Sequence, residues 1–300
     1  DGRWGIGDNA TIDGFVAQTD TAGVEQDEYA YRLGGQYDSE LWSMSASYAE
    51  VADGFNPEVG FLTRGGYRKP SGFLLRRIRP QNMGKIFELR PHVSYRGYWD
   101  FEGFQETGYL HVDNHWEFRQ GAEVHTGINF TLEGVKEPFE ISEGIFVPVG
   151  TYKNTEAQLV AFTNQSNPFS LEGRLVAGGF FGGDRISFSP AVNFRVGDRF
   201  QSSLNWSYND VDLPEGDFET NLGRLRLSYS FTLRLFVQAL IQYSDQDDLW
   251  ASNLRFGWLN TASTGLYLVY NEIRDTGELS SGIPGRSIVL KYSHMFDLLN

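Results

Sequence analysis

Apolar and polar side chains alternate along this chain in segments of about ten residues, with a period of two. The clearest example is residues 234–260, where an acidic link at 245–248 separates two apolar rows. The first row is Leu235, Val237, Ala239, Ile241 and Tyr243, and the second is Trp250, Ser252, Leu254, Phe256 and Trp258. A period of two predicts β-strands rather than helices. Aromatic row ends around an aliphatic middle are typical of strands that face lipid.

The pattern predicts sixteen strands along the chain. Their approximate ranges are 9–18, 29–38, 41–51, 71–79, 85–97, 106–118, 122–132, 152–163, 169–178, 185–196, 199–209, 220–230, 234–244, 249–260, 264–271 and 286–296. Connections after even-numbered strands are short. After odd-numbered strands most are long (19–28, 52–70, 133–151, 209–219 and 271–285), and three are shorter (98–105, 179–184 and 245–248).

Alternating connection lengths and an even strand count are typical of outer-membrane barrels, whose termini and short turns lie in the periplasm. The sequence therefore predicts an all-β fold, namely a transmembrane antiparallel up-and-down β-barrel of about 16 strands (14–18). We expect one domain that occupies residues 1–300. The chain begins at Asp1 without an initiator Met or a signal peptide, which indicates a mature chain or a fragment.

Composition narrows the classes of function. The mean hydropathy of −0.37 suits strands of which only half the side chains face lipid. The absence of cysteine excludes disulfides and thiolate metal sites. A net charge of −14 disfavours nucleic acid as a partner.

Two stretches carry a resemblance to a known family. Residues 55–64 (FNPEVGFLTR) lead into Tyr67 and Arg68, and residues 137–141 (EPFEI) lead into 145–152 (IFVPVGTY). Both resemble a bacterial outer-membrane β-barrel domain of unknown function, usually found C-terminal to a carbohydrate-binding module of the family 9 type. The resemblance implies a place in the cell outer membrane and a periplasmic carbohydrate-binding module as a partner. It implies no settled activity.

The end of the chain carries a second resemblance. Apolar and aromatic residues alternate there and close on an aromatic, which resembles the C-terminal signal of outer-membrane barrels. The residues are Ile288, Leu290, Tyr292, His294 and Phe296. The match is partial because four more residues follow Phe296.

The fifth predicted strand carries the best candidate for a binding site. Its apolar row is Phe87, Leu89, Val93 and Tyr95. The opposite face, which we expect to line the lumen, carries Glu88, Arg90, His92 and Arg96. Such a basic cluster selects anions, or it pairs with acidic side chains. Both interpretations stay open: a structural salt network, and a pathway for small or anionic solutes.

Other candidate chemistry is weaker. A hydrolase in the barrel wall needs a serine, a histidine and an orienting group. His111 and His115 share one face with Asp113 on the sixth predicted strand, but Asn114 lies on the other, and no serine has a recognisable context. The acidic segments 210–217 and 245–248 lack the spacing of a known calcium loop. We therefore assign no catalytic residue, no metal ligand and no cofactor.

These observations lead to one main hypothesis with two alternatives. The chain is expected to be a monomeric, porin-like outer-membrane β-barrel in contact with lipid in a Gram-negative-type cell envelope. It would serve as a channel for small solutes or as the membrane anchor of a periplasmic carbohydrate-binding module. The alternatives are a barrel-embedded hydrolase and a soluble secreted all-β binding protein.

Overall fold

The computed structural model describes residues 1–58, 60–246, 248–260, 264–275 and 285–295. These residues form nineteen strands. The strands are β1 (Gly2–Ile6), β2 (Ala10–Gln18), β3 (Tyr29–Asp38), β4 (Trp42–Val51), β5 (Tyr67–Arg76), β6 (Ile86–Trp99), β7 (Gln105–Phe118), β8 (Glu123–Val135), β9 (Phe139–Ser142), β10 (Ile145–Val147), β11 (Gly150–Phe162), β12 (Phe169–Phe180), β13 (Gly183–Val196), β14 (Phe200–Leu213), β15 (Gly216–Ser230), β16 (Leu235–Ser244), β17 (Leu249–Leu259), β18 (Gly265–Asp275) and β19 (Gly285–Ser293). In this part of the chain no helix has the length and hydropathy needed to span a bilayer.

Seventeen of the strands form one antiparallel up-and-down sheet, and β9 and β10 form a separate hairpin. Strands consecutive along the chain pair from β1 to β8 and from β11 to β19, and β8 pairs with β11. The predicted all-β, antiparallel up-and-down architecture is confirmed. Each of the sixteen predicted strands corresponds to one strand of this sheet, and β1 is an additional one.

The chain divides into two compact units. Unit 1 comprises Asp1–Leu159, Val176–Arg185 and Asp212–Gly216, and unit 2 comprises Val160–Leu175, Ile186–Val211 and Asp217–Asn300. The expectation of a single domain stays a prediction. Three parts of the predictions lie outside the described residues. They are Phe296 at the end of the last predicted strand, Asp247 in the acidic segment 245–248, and residues 276–284, which make up most of the last predicted long connection.

Two predicted connections are shorter than expected. The segment 209–219 was predicted as a long loop, but β14 continues to Leu213 and β15 begins at Gly216. The strand persists because Val211 and Leu213 keep the period of two, and both are buried. Only Phe181 and Gly182 connect β12 to β13, and both have positive φ angles (45° and 86°). Such angles suit a tight hairpin turn.

Ion pairs hold the connections next to β6 and β8 in unit 1. Asp100 Oδ1 accepts a hydrogen bond of 2.8 Å from the backbone N–H of Phe104. The Asp100 carboxylate also pairs with Lys136, which lowers the pKa of Asp100 and raises the pKa of Lys136. Both groups are therefore charged across the neutral pH range.

The register sorts side chains onto two faces. In unit 1, Asp13, Arg32, His92, Asp113 and Asn129 lie on the face that we call the polar face. In unit 2, one face carries an apolar row across five strands, and Leu254 and Leu290 on it are 47% and 68% exposed. The usual burial is therefore inverted, because large apolar side chains are exposed while several charged ones are buried.

We expect Gly183→Ala to destabilise the fold because a Cβ at this position would collide with the carbonyl oxygen of Asp212 and the Cα of Leu213. The cost should be about 3 kcal/mol, since overpacking against backbone cannot be relieved by rotating a side chain. The matched control is Gly223→Ala, because a Cβ at that site meets no atom within 4 Å. A denaturant titration of both variants measures the difference, and equal midpoints would contradict the pairing of β13 with β14.

Candidate functional site

The predicted cluster lies on the polar face of β6. Glu88 is 4% exposed, Arg90 and His92 are half-buried, and Arg96 is exposed. On β7, Arg90 pairs in register with His115 and His92 with Asp113. On β8, His115 pairs in turn with His125. The cluster therefore extends across three neighbouring strands.

Arg90 is surrounded by three carboxylates. Its Nη2 atom contacts Glu117 and lies 3.2 Å from Oε2 of Glu123, and its Nε lies 3.9 Å from Oε1 of Glu88. Glu88 also accepts a hydrogen bond of 2.7 Å from Arg79 Nε. The charge of Arg90 is therefore compensated by the protein, and the guanidinium joins β6, β7 and β8.

Arg96 has a different environment. Its guanidinium lies 4.5 Å from the ring centroid of Tyr109 in a cation–π contact. Among the described residues it forms no salt bridge, and its side chain is exposed. Of the predicted basic residues of β6, Arg96 is thus the one that presents its charge to solvent.

Four histidines surround the buried Asp113. Ring centroids are separated by 5.2 Å for His92 and His111, by 4.8 Å for His92 and His115, and by 3.5 Å for the stacked His115 and His125. His111 Nε2 lies 3.3 Å and His115 Nε2 lies 3.9 Å from Asp113 Oδ2. Neither carboxylate oxygen of Asp113 has a hydrogen-bond partner, although its side chain is only 1% exposed.

Protein acceptors orient three of these imidazoles. His111 Nδ1 lies 2.6 Å from Asn129 Oδ1, and His92 Nδ1 lies 3.2 Å from the backbone oxygen of Arg90. His125 Nε2 lies 3.0 Å from Glu123 Oε2. The acceptors in these three contacts are amide, backbone and carboxylate oxygens, and none of the contacts involves a serine hydroxyl. The hydrolase alternative stays a prediction.

Sequence parity placed Glu88, Arg90, His92 and Arg96 on one face, and the structure agrees. Sequence reasoning missed Glu117 and Glu123, which contact Arg90. It also missed His125, which contacts Glu123, and Asn129, which contacts His111. A signal for Glu117, Glu123 and His125 was present, since Glu117 and His115 lie as far before the turn at 119–121 as Glu123 and His125 lie after it. A symmetric hairpin pairs such positions.

A scan against protein-family models finds no match for this chain, and a search of curated proteins finds no similar sequence.

We predict that Arg90→Gln lowers the free energy of unfolding by about 3 kcal/mol, because it leaves Glu88, Glu117 and Glu123 close together without their shared cation. Arg96→Gln is the matched control on the same strand and should cost about 1 kcal/mol through the lost cation–π contact. Urea titrations followed by tryptophan fluorescence measure both values.

Adding Glu117→Gln to Arg90→Gln should recover part of the loss, because one of the repelling carboxylates is removed. Equal losses for Arg90→Gln and Arg96→Gln, without recovery in the double variant, would contradict the charge network.

Proposed function

We propose that the sheet closes into a transmembrane β-barrel in the outer membrane of a Gram-negative-type envelope. In this proposal the apolar face contacts lipid, and the polar face lines a water-filled lumen that passes small solutes. The inverted burial carries the proposal, because large apolar side chains are exposed in rows while Glu88, Asp113 and Asn129 are buried. Lipid is the solvent that makes such rows favourable.

A soluble all-β protein would distribute its side chains differently. Soluble sandwiches bury their apolar rows between two sheets, and soluble monomers rarely expose large apolar patches. Here Leu254, Leu268 and Leu290 are exposed on three neighbouring strands in unit 2. Tyr243 and Trp250 at one end of β16 and β17, and Trp258 at the other, are exposed as well. This order supports aromatic belts at two lipid–water interfaces.

The charges of the polar face support weak rather than strong ion selection. Arg90 is neutralised by three carboxylates, so an anion would have to compete with them. Arg96 is the exposed cation that a passing solute would meet. The channel would therefore admit small polar solutes, with Arg96 favouring anions locally.

A second role is that of a membrane anchor for a periplasmic carbohydrate-binding module. The resemblance of residues 55–64 and 137–152 to domains that follow such a module favours it. This role needs the same barrel in lipid but no open lumen.

We expect Leu254→Arg to lower the free energy of unfolding in a bilayer by about 2–4 kcal/mol, because the position lies midway along β17 on the lipid-facing row. Asn253→Arg is the matched control. Asn253 and Asn271 lie on the face opposite Leu254, and Asn253 donates a hydrogen bond to Asn271. Loss of this hydrogen bond should cost about 1 kcal/mol. Unfolding in lipid vesicles measures both, and a larger loss at Asn253 would refute the assignment of the faces.

Single-channel recording of the refolded protein in a planar bilayer tests the channel. Wild type should conduct, and Arg96→Glu should shift the reversal potential toward cation preference, most clearly at low salt where screening is weak. Arg119→Glu, in the turn after β7, should leave the reversal potential unchanged.

Absence of conductance in a folded wild-type protein would reject the channel and leave the anchor role. Conductance that Arg96→Glu does not alter would remove Arg96 from the solute path.

A further inference from the structure

Three potential metal ligands converge on the polar face of β6 and β7. One ring nitrogen of His92, one of His111 and a carboxylate oxygen of Asp113 lie within 4.8 Å of one another. Ligand atoms around a tetrahedral Zn²⁺ ion lie about 3.3 Å apart. His111 Nε2 and Asp113 Oδ2 already lie 3.3 Å apart. Small side-chain rotations would bring a ring nitrogen of His92 to the same distance from these two atoms.

Asp113 supplies an independent reason for a cation here. Its carboxylate is almost fully buried, and neither oxygen has a hydrogen-bond partner. A buried carboxylate without such partners is unfavourable unless a cation compensates it. The guanidinium of Arg90 does not compensate the charge of Asp113, because it is shared among Glu88, Glu117 and Glu123.

The hydrogen bonds of the two histidines leave the correct atoms for a metal. Asn129 Oδ1 accepts from His111 Nδ1, which places the Nε2 lone pair toward Asp113. The backbone oxygen of Arg90 accepts from His92 Nδ1 and likewise leaves Nε2 as the donor atom. Metal-binding histidines characteristically donate their other N–H to such an acceptor. The lone pair of His111 Nε2 and the carboxylate of Asp113 repel each other unless a proton or a metal ion lies between them.

We infer that His92, His111 and Asp113 bind one divalent transition-metal ion of the Zn²⁺ type. Two neutral imidazoles and one carboxylate suit Zn²⁺, Cu²⁺, Ni²⁺ or Co²⁺, whereas Ca²⁺ and Mg²⁺ require mostly oxygen ligands. Three protein ligands leave a fourth position for water.

A second group shares the same carboxylate. Asp113, His115 and His125 also offer three ligand atoms within 4.8 Å of one another. In that group His125 Nε2 is bound to Glu123, and the rings of His115 and His125 are stacked face to face. Stacked parallel rings do not direct two nitrogen lone pairs at one point. We therefore assign the ion to His92 and His111.

Calorimetry of the full chain tests the site. The protein, without a histidine tag, is refolded in detergent, stripped with a chelator and titrated with Zn²⁺. One equivalent should bind, with an affinity that falls as the pH is lowered because protons compete for the imidazoles. Co²⁺ at the same site should give the visible absorption of a four-coordinate complex.

Variants identify the ligands. His111→Gln and the isosteric Asp113→Asn should each weaken Zn²⁺ binding at least about 100-fold. His294→Gln, which follows β19, should bind as wild type does. Heat-dependent migration on detergent gels verifies that each variant is folded, and only folded protein is titrated.

Two results would overturn the inference. One is the absence of stoichiometric Zn²⁺ binding by folded wild type. The other is loss of binding in His125→Gln with retention in His92→Gln, which would move the ion to the other group. Because no readout depends on conductance, a failed channel and a failed metal site are distinguishable.

Discussion

Backbone hydrogen bonding between consecutive antiparallel strands is the constraint on which the rest of the structure depends. It holds each strand at a fixed register, so that an alternation in the sequence becomes two continuous faces of a sheet. A shift by one residue in β17 would move Leu254 and Trp258 to the opposite face and bring Asn253 and Arg255 into the apolar row. The exposed apolar rows and the buried carboxylates are both consequences of this register.

The same register creates the chemistry of the polar face. A short turn at 119–121 places Glu117 opposite Glu123 and His115 opposite His125. Pairing of β6 with β7 then places His92 opposite Asp113. One arginine, Arg90, joins the carboxylates of three strands, and Asp113 is left among imidazoles. The Arg90 salt-bridge network and the proposed metal site therefore lie next to each other. Both are formed by the pairing of β7 with β6 on one side and with β8 on the other.

Much of this architecture could be predicted from the sequence. A strict period of two indicates a strand, and turn residues at its ends indicate where the strand begins and ends. β1 was missed because Gly2–Ile6 is short and contains two glycines. The extension of β14 was missed because its acidic residues resemble a loop, although Val211 and Leu213 continue the alternation. At the candidate site, parity predicted which side chains of β6 share a face. The turn at 119–121 indicates that Glu117 lies opposite Glu123. Parity could not predict that the two carboxylates neutralise Arg90, because that contact depends on the register between β6 and β7.

Accessibility of spin labels along β17 tests most directly whether the apolar row faces lipid. The chain has no cysteine, so single replacements from Trp250→Cys to Trp258→Cys each carry one nitroxide. In lipid vesicles, even-numbered positions should collide more with dissolved oxygen, and odd-numbered positions more with a water-soluble nickel complex, because one face meets hydrocarbon and the other water. Oxygen accessibility without a period of two, or nickel accessibility highest at position 254, would contradict the account.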